Sequence, residues 1–244
     1  MKTPTLVSAV SIITVIIISY TYLNRYRFIE ENTTISVKGM GTTDFTSDRI
    51  VWEGNFNREN ESLKNAYAEL SKDREIVLKF LTESGISNEE IVFGSVSTSE
   101  VTKNIYNDKG NYIDQEFLGY KLTQDVKIES SNLDLVERAS RSITEVLNNG
   151  VQFYSDSPRY YYTGLKDLKL DLLSKATADA KARASIIAIE AGADIGELKS
   201  AEMGILQIVG QYSDDDYSWG GTFNTSSKLK TASITIDLSY ELVN

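Results

Sequence analysis

The stretch 167–196, DLKLDLLSKATADAKARASIIAIEAGADIG, is a long segment of strong helix propensity, and it decides how the fold is read. Its apolar residues recur at steps of three or four, which places them on one face of about seven turns of helix. Gly192 stands where this pattern stops and suits a left-handed C-cap. Because most of the apolar face is alanine, the helix backbone can approach closely whatever it covers. The segment therefore predicts a scaffold helix packed on a sheet through Leu168, Leu172, Ala176, Ala180, Ala184, Ile187 and Ala191.

Period-two alternation of apolar and polar residues predicts strands on both sides of this helix. The first strand begins at Ile35 and is expected to end at Gly39 and Gly41. A further helix is expected to start at Ser131 and Asp134, whose side chains can serve its free amides, and to end at Gly150. The other predicted elements are strands at about 48–56, 90–105, 120–128, 151–155, 203–209 and 232–242, a turn at 107–110 and a helix at 59–84.

These elements predict an α+β fold, with mostly antiparallel sheets packed by three helices and preceded by one N-terminal transmembrane helix. Proline occurs only at Pro4 and Pro158, so no proline-rich linker divides the rest of the chain. We therefore expect residues 1–33 to be an anchor with a short tether and residues 34–244 to be one domain.

The predicted anchor is the uncharged run LVSAVSIITVIIISYTYL at 6–23. Its 18 residues would span about 27 Å as a helix, close to the ~30 Å of a bilayer core. A cleaved signal peptide is the alternative, although such a peptide usually has a shorter apolar core and a small-residue exit. Lys2 lies before the run and Arg25 and Arg27 follow it, so the flanking charges leave the membrane orientation open.

Composition excludes several classes of function. The 35 acidic residues outnumber the 25 basic ones, for a formal charge of −10, which argues against nucleic-acid binding. The chain has no cysteine and no histidine, so disulfides, Cys/His zinc sites and Ser-His-Asp or Cys-His catalysis are all ruled out. Carboxylate pairs such as Glu89-Glu90 exist, but nothing places two of them in one cleft.

Three motifs could still carry chemistry. Gly39-Met40-Gly41 follows a strand but lacks the third glycine and the helix of a dinucleotide fingerprint, so a tight turn is the expected role. Asp214-Asp215-Asp216 could hold calcium, yet the run lacks an EF-hand pattern and is expected to be a solvated hairpin tip. An aromatic platform for a sugar or peptide is possible in principle, but packing in a core or between subunits is favoured for its members, which are Tyr160, Tyr161, Tyr162, Trp219 and Phe223. We therefore predict no catalytic, cofactor-binding or metal-binding residues and no cofactor.

Four segments, in order and spacing, resemble the SIMPL-domain family. ISVKGMG at 35–41 is similar to its opening strand with V-x-G-x-G, and LTESGI followed by EEIVFGSVST at 81–98 is similar to its helix end and next strand. LGYKLTQDVKI at 118–128 resembles its middle strand, and the alanine-spaced helix at 175–198 resembles its last helix and closing turn. The chain departs from the family at Ser47-Asp48, where Pro-Asp is common, and at Ile195, which replaces a leucine; both affect turn detail and local packing.

The resemblance implies an exported or membrane-associated bacterial protein. It supplies no catalytic residues, since the family has no accepted ones, and it implies that some relatives assemble into large ring- or barrel-like oligomers while others are linked to stress tolerance. Our first hypothesis is thus a non-enzymatic, membrane-anchored envelope protein, with its C-terminal domain in the periplasm or outside the cell, that self-assembles or binds protein partners. The alternatives are a carboxylate- or calcium-dependent hydrolase and a soluble periplasmic binding module released by signal cleavage.

Overall fold

The computed structural model describes residues 13–23, 34–216 and 218–243. Residues 13–23 are helical, with exposed apolar side chains. Among the described residues, no helix is long and apolar enough to cross a membrane. The predicted anchor, 6–23, lies partly outside these residues and the predicted tether, 24–33, lies wholly outside them. The transmembrane helix is therefore not confirmed and stays a prediction.

The described elements form an α+β fold with two antiparallel sheets and four helices. In chain order they are α1 (residues 13–23), β1 (Thr34–Thr46), β2 (Arg49–Asn60), α2 (Leu63–Glu83), β3 (Ile91–Tyr106), β4 (Tyr112–Ser130), α3 (Leu133–Ser142), β5 (Phe153–Ser155), β6 (Arg159–Tyr161), α4 (Leu165–Glu190), β7 (Asp194–Met203), β8 (Gln207–Gly210) and β9 (Leu229–Val243). Short 3-10 helices cover Asn88–Glu90 and Ile143–Asn149.

Sheet A has β9 at its centre, with β1 on one side and both β7 and β8 on the other. The long helix α4 covers one face of this sheet, which confirms the predicted scaffold helix. Its buried residues recur at every fourth position through Ala184 and Ala188. Ile187 and Ala191, which we expected on the buried face, are exposed instead, because the contact follows a strict four-residue row along the helix. Gly192 has φ of +80°, as the predicted left-handed cap requires.

Two glycines let α4 lie very close to β1. A Cβ on Gly39 would stand 2.3 Å from the Ala176 carbonyl oxygen, and a Cβ on Gly41 would stand 2.1 Å from that of Leu172. The prediction that β1 ends at these glycines was wrong, since β1 continues to Thr46. The glycines mark a close helix–strand approach and not a tight turn. Alanines on the helix and glycines on the strand thus form one complementary contact.

Sheet B has the strand order β3-β4-β2-β5, and β6 also pairs with β2. Helices α2 and α3 cover one of its faces and enclose a second hydrophobic core, which includes Trp52 and Phe56. The predicted turn at 107–110 joins β3 to β4. The two strands of this hairpin continue well beyond the rest of the sheet, because β4 pairs with β2 only from Tyr120 onward.

Two local predictions were wrong for identifiable reasons. We expected a strand at 203–209, but the chain forms β7 and β8 with a break at 204–206. Because β7 is an edge strand exposed on both faces and carries two register shifts, it shows no period-two signal. The helix α3 is capped by Asn132, whose side chain accepts from Leu135 N at 3.2 Å, and not by Ser131 and Asp134. Asp134 instead forms an ion pair with Lys228.

Each sheet has its own core, and the two halves meet along a short junction. A backbone hydrogen bond crosses the junction from Tyr160 N of β6 to Thr225 O, at 2.7 Å, and the bond from Ser47 N to Lys228 O, at 2.9 Å, extends the β1–β9 pairing up to the junction. Lys228 also reaches Glu137 of α3, with 3.3 Å between the ammonium and the carboxylate. The loop 211–228, which connects β8 to β9, therefore binds sheet A to the helical face of sheet B.

Candidate functional site

The acidic run is part of this loop, and its central residue has a structural role. The Asp215 carboxylate accepts hydrogen bonds from Gly210 N at 2.9 Å and from the Ser213 hydroxyl and the Asn224 amide at 2.8 Å. These donors, the Gly210 amide first, lower the pKa of Asp215 from its ordinary value. Within the described ranges, no three acidic side chains converge closely enough to hold a metal ion.

The tyrosine run lies at the junction between the two halves. Tyr160 packs against the core of sheet B and Tyr162 against the core of sheet A. The Tyr162 and Phe45 ring centroids are 4.8 Å apart. Phe223 lines the same small pocket, of about 150 Å³, whereas Trp219 lies elsewhere. The structure thus gives Tyr160 and Tyr162 a packing role, leaves Tyr161 and Phe223 exposed beside the same pocket, and places Trp219 outside the group.

Lys230 is the basic residue in the lining of this junction pocket, and sequence reasoning missed it. Its side chain is only 2% exposed, and its ammonium donates to the main-chain and side-chain oxygens of Asn224. Burial lowers the pKa of Lys230 to about 8, and the charge of Asp215 opposes the shift. The signal that could have found Lys230 is the inward alternation of β9, which it continues by two residues beyond Ala232.

Ser227 precedes Lys230 at the S-x-x-K spacing of some serine nucleophiles, but the geometry differs from theirs. That spacing puts both side chains on one face when it lies on a helix. Here Ser227 is in a loop and Lys230 is in β9. The Ser227 hydroxyl lies against Gly210, since a Cβ built on that glycine would be 2.4 Å from the hydroxyl oxygen. The Lys230 amine donates a hydrogen bond to Asn224. This pair therefore gives no support for nucleophilic catalysis.

The low pKa of Lys230 predicts a pH dependence of folding. An unfolded lysine titrates near pH ~10.4, so between about pH 8 and that value the unfolded chain holds more protons than the folded protein. The free energy of unfolding should therefore rise with pH across this window, relative to a Lys230→Met variant. Urea unfolding at the two ends of the window measures the difference. Lys38→Met, at an exposed position of β1, is the control. The prediction would be contradicted if the difference in the free energy of unfolding between the wild type and Lys230→Met did not change with pH.

Trp219 borders a depression of about 570 Å³ on the outer face of sheet A, away from α4. Met40, Ile205 and Thr235 line it. Gln207 holds the loop beside it, since its amide nitrogen donates to Ser218 O at 2.7 Å and its amide oxygen accepts from Thr222 N at 2.8 Å. The lining has no charged side chain, so its chemistry suits an uncharged and partly apolar ligand.

The β3–β4 hairpin forms a further exposed feature. We call residues 99–118 the arm: among the described strands, β3 pairs only with β4, and β4 pairs only with β3 before Tyr120. The register places Tyr106, Tyr112 and Phe117 on one face, and all three are exposed. Ile113 and Leu118 are exposed as well. A two-stranded hairpin with apolar side chains in water is only marginally stable by itself, and exposed apolar patches of this kind often mark interaction sites.

Comparisons with known proteins place the chain in a family. The comparison with curated proteins found no match. An amidase of the hydantoinase/carbamoylase family from Burkholderia phymatum is similar over 54% of this chain and 32% of its own length, with 10% identity and a TM-score of 0.28. The likeness thus spans about a third of that enzyme, and it carries no argument about function. The model of the SIMPL family, described as a protein of unknown function (DUF541), matches residues 35–237. Since this match covers most of the chain, including both sheets, the protein belongs to the SIMPL family.

Proposed function

We propose that this chain is a non-enzymatic envelope protein, anchored in a membrane by residues 6–23, whose body associates with further copies of itself through the arm. The observation that carries the proposal is the exposure of the arm on both faces, with five large apolar side chains in 20 residues. Both of its edges present backbone groups that pair with no other described strand. Such edges are templates for pairing with another chain.

A second copy offers an edge of the same kind. Strand β7 lies at the border of sheet A, pairs only with β9 among the described strands, and exposes Leu198 and Met203. An arm that pairs with the β7 edge of the next copy makes a head-to-tail contact, and repetition of such a contact generates a ring when the rotation closes. The large assemblies implied for some relatives are consistent with this geometry.

Residues 6–23 supply the proposed membrane anchor, with the folded body in the periplasm or outside the cell. The apolar length of the run and its charged flanks support the anchor. The alternative is a periplasmic module released by signal cleavage. Mass spectrometry of the mature protein separates the two, because a chain that begins at Met1 or Lys2 retains the anchor, whereas a chain that begins beyond residue 23 does not.

The proposal of a non-enzymatic role rests on residue types. The chain has no histidine or cysteine, and the central aspartate of the acidic run is already hydrogen-bonded within its loop. The competing hypothesis is a calcium-dependent hydrolase built on Asp214 and Asp216, which are exposed. Calorimetric titration of the full-length protein with calcium tests it. Binding heat that is lost in the Asp214→Asn, Asp216→Asn double variant would favour that hypothesis over ours.

Removing two aromatic side chains from the arm should weaken self-association. The double variant Tyr112→Ser, Phe117→Ser deletes two exposed rings from the face that we expect to be buried between copies. Because buried aromatic residues dominate interface energies, association should weaken at least about ten-fold. Light scattering of the full-length protein in detergent, over a range of concentrations, measures the change.

Tyr67→Ser is the matched control, since Tyr67 on α2 and Tyr112 are each 58% exposed. The control should assemble as the wild type does, and the fluorescence of the buried Trp52 should show that both variants are folded. A wild-type protein that is monomeric at every concentration would refute the proposal. Equal assembly of the arm variant and the control would refute the role of the arm.

A further inference from the structure

The position of the first described strand identifies the end of the body that the anchor would enter. Along β1, Gly41 lies against Leu172 and Gly39 lies against Ala176 and Ala180, so α4 runs antiparallel to β1. Two residues of strand and four residues of helix cover the same length, about 6 Å. Counting back from Gly39 in the same proportion places Ile35 of β1 beside Ile186 of α4. The chain therefore enters sheet A beside the C-terminal end of α4.

That end of the body carries an exposed apolar surface, which we call the end patch. Its members on α4 are Ile186, Ile187 and Ile189, which are exposed by 63%, 51% and 62%. Val243 adds to it from β9, because the pairs Thr34↔Glu241 and Asp194↔Val243 place that end of β9 at the same edge. Three exposed isoleucines lie within one turn of a helix whose opposite face is already buried, and clustered apolar residues of this kind often mark an interaction surface.

The sequence before β1 limits how far this surface can lie from the proposed anchor. Only residues 24–33 separate the apolar run from Thr34. Ten residues reach at most about 36 Å when fully extended. The helix α4 is itself about 39 Å long, which is more than the reach of the tether. The tether therefore allows the C-terminal end of α4 to touch the membrane more easily than the far end of the body.

Charges around the end patch favour insertion of apolar side chains over attraction to anionic lipids. Lys199 is already paired with Glu241 at 2.8 Å, and Arg183 is paired with Asp179 at 2.9 Å. Glu190 adds an exposed negative charge beside the isoleucines. A surface of this composition suits the boundary between headgroups and acyl chains of a neutral lipid.

We propose that the end patch rests on the membrane surface, with Ile186 and Ile189 inserted at the lipid interface. The body then stands on the bilayer by the C-terminal end of α4. This inference rests on the anchor in the proposed function and goes beyond it, since the anchor alone sets no orientation of the body.

Site-specific fluorescence in full-length protein tests the orientation, and the absence of native cysteine makes single-site labelling direct. Four variants are labelled with a polarity-sensitive dye in nanodiscs of phosphatidylcholine: Ile186→Cys, Ile189→Cys, Leu170→Cys and Val15→Cys. Leu170 is the matched control because it lies near the other end of α4 and is 60% exposed. Val15 reports on the anchor. We expect blue-shifted emission, quenching by brominated lipid and loss of iodide quenching at positions 15, 186 and 189, and none of these changes at position 170.

The possible results separate this inference from the proposed function. In one result, the label at 15 is quenched by brominated lipid while the labels at 186 and 189 behave like the one at 170. That result would refute the inference that the end patch faces the membrane, and it would leave the anchor supported. A label at 15 that brominated lipid does not quench would overturn both. Protection from iodide at 186 and 189 without quenching by brominated lipid would mean that protein covers the patch, which also overturns the inference. Adding phosphatidylglycerol should leave the quenching unchanged, and a need for the anionic lipid would contradict apolar insertion.

Discussion

Replacing Gly41 by alanine should destabilise the sheet A half of the protein. The loss of folding free energy should exceed that of any conservative substitution on the surface of this half. The added Cβ would lie 2.1 Å from the Leu172 carbonyl oxygen and 2.9 Å from Ala176 N. Both atoms belong to the helix backbone, so no side-chain rotation can relieve the clash. The helix must move off the strand, and the buried contacts of Leu172 and Ala176 weaken with it. We expect a loss of about 3 kcal/mol or more in the free energy of unfolding, at or above the upper end of the overpacking range.

Because the two sheets have separate cores, Gly41→Ala should destabilise the sheet A half more than the sheet B half. Trp52 lies in the core of sheet B and Trp219 is almost fully exposed, so in a Trp219→Phe background fluorescence reports on sheet B alone. Circular dichroism reports on both halves. In urea, Gly41→Ala should lower the transition midpoint seen by circular dichroism more than the midpoint seen by Trp52 fluorescence.

A second strand glycine provides the control. A Cβ on Gly94, in β3, would meet Asp125 at 3.6 Å, which is an ordinary contact. Gly94→Ala should therefore change stability by less than about 1 kcal/mol, since it removes flexibility of the unfolded chain without a clash. If Gly41→Ala and Gly94→Ala had the same effect, the close approach of α4 to β1 would be wrong.

The contact between α4 and β1 also shows what the sequence could and could not predict. The alanine spacing predicts a helix that approaches its partner closely, and it is confirmed. The strand residues that these alanines contact, Gly39 and Gly41, were not predicted. A glycine at the end of a strand pattern is equally consistent with a turn until the facing helix is known. Contacts far apart in sequence, such as Gly39 with Ala176, leave no local periodicity to detect.

The candidate sites divide in a similar way. The acidic and tyrosine runs were visible as residue types. Asp214 and Asp216 are exposed, as expected for a solvated loop, and Tyr160 and Tyr162 pack against the two cores. Lys230 was missed because a charged residue at an inward position breaks the apolar pattern on which strand prediction relies. The second strand of the arm, before Tyr120, was missed because exposure on both faces erases alternation. In both cases the informative residue is one that departs from the expected pattern.

The same reasoning applies to an ion pair in the sheet B half, in which a buried aspartate meets a partly buried arginine. Arg58 and Asp73 occupy inward positions of β2 and α2 that the apolar patterns leave empty. The Arg58 guanidinium donates to both Asp73 carboxylate oxygens, at 2.5 and 2.7 Å, and to Gly150 O at 2.7 Å. The hydrogen bonds from Arg58 to Asp73 are the largest cause of a raised Arg58 pKa. The pair thus joins strand, helix and the end of the 3-10 helix Ile143–Asn149.

Removing one member of this pair should have the second large effect. Asp73 is only 2% exposed, so Asp73→Ala leaves a partly buried guanidinium without its counter-charge. We expect a loss of about 3–5 kcal/mol in the free energy of unfolding, measured by urea unfolding followed at Trp52 in the Trp219→Phe background. Glu83→Gln is the control on the same helix. It breaks an exposed pair with Lys79, whose atoms are 3.8 Å apart, and should cost at most about 0.5 kcal/mol.

The double variant Arg58→Met, Asp73→Leu distinguishes a lost attraction from an uncompensated charge. If the cost of Asp73→Ala comes mainly from the unpaired guanidinium, replacing both partners by apolar side chains of similar size should recover most of the stability. If it comes from the attraction itself, the double variant should be no more stable than Asp73→Ala. We expect recovery that stops short of the wild type, because the double variant still loses the hydrogen bond from Arg58 to Gly150 O. Full recovery would mean that this third contact contributes nothing, and no recovery would mean that the ion pair is a net source of stability in the sheet B core.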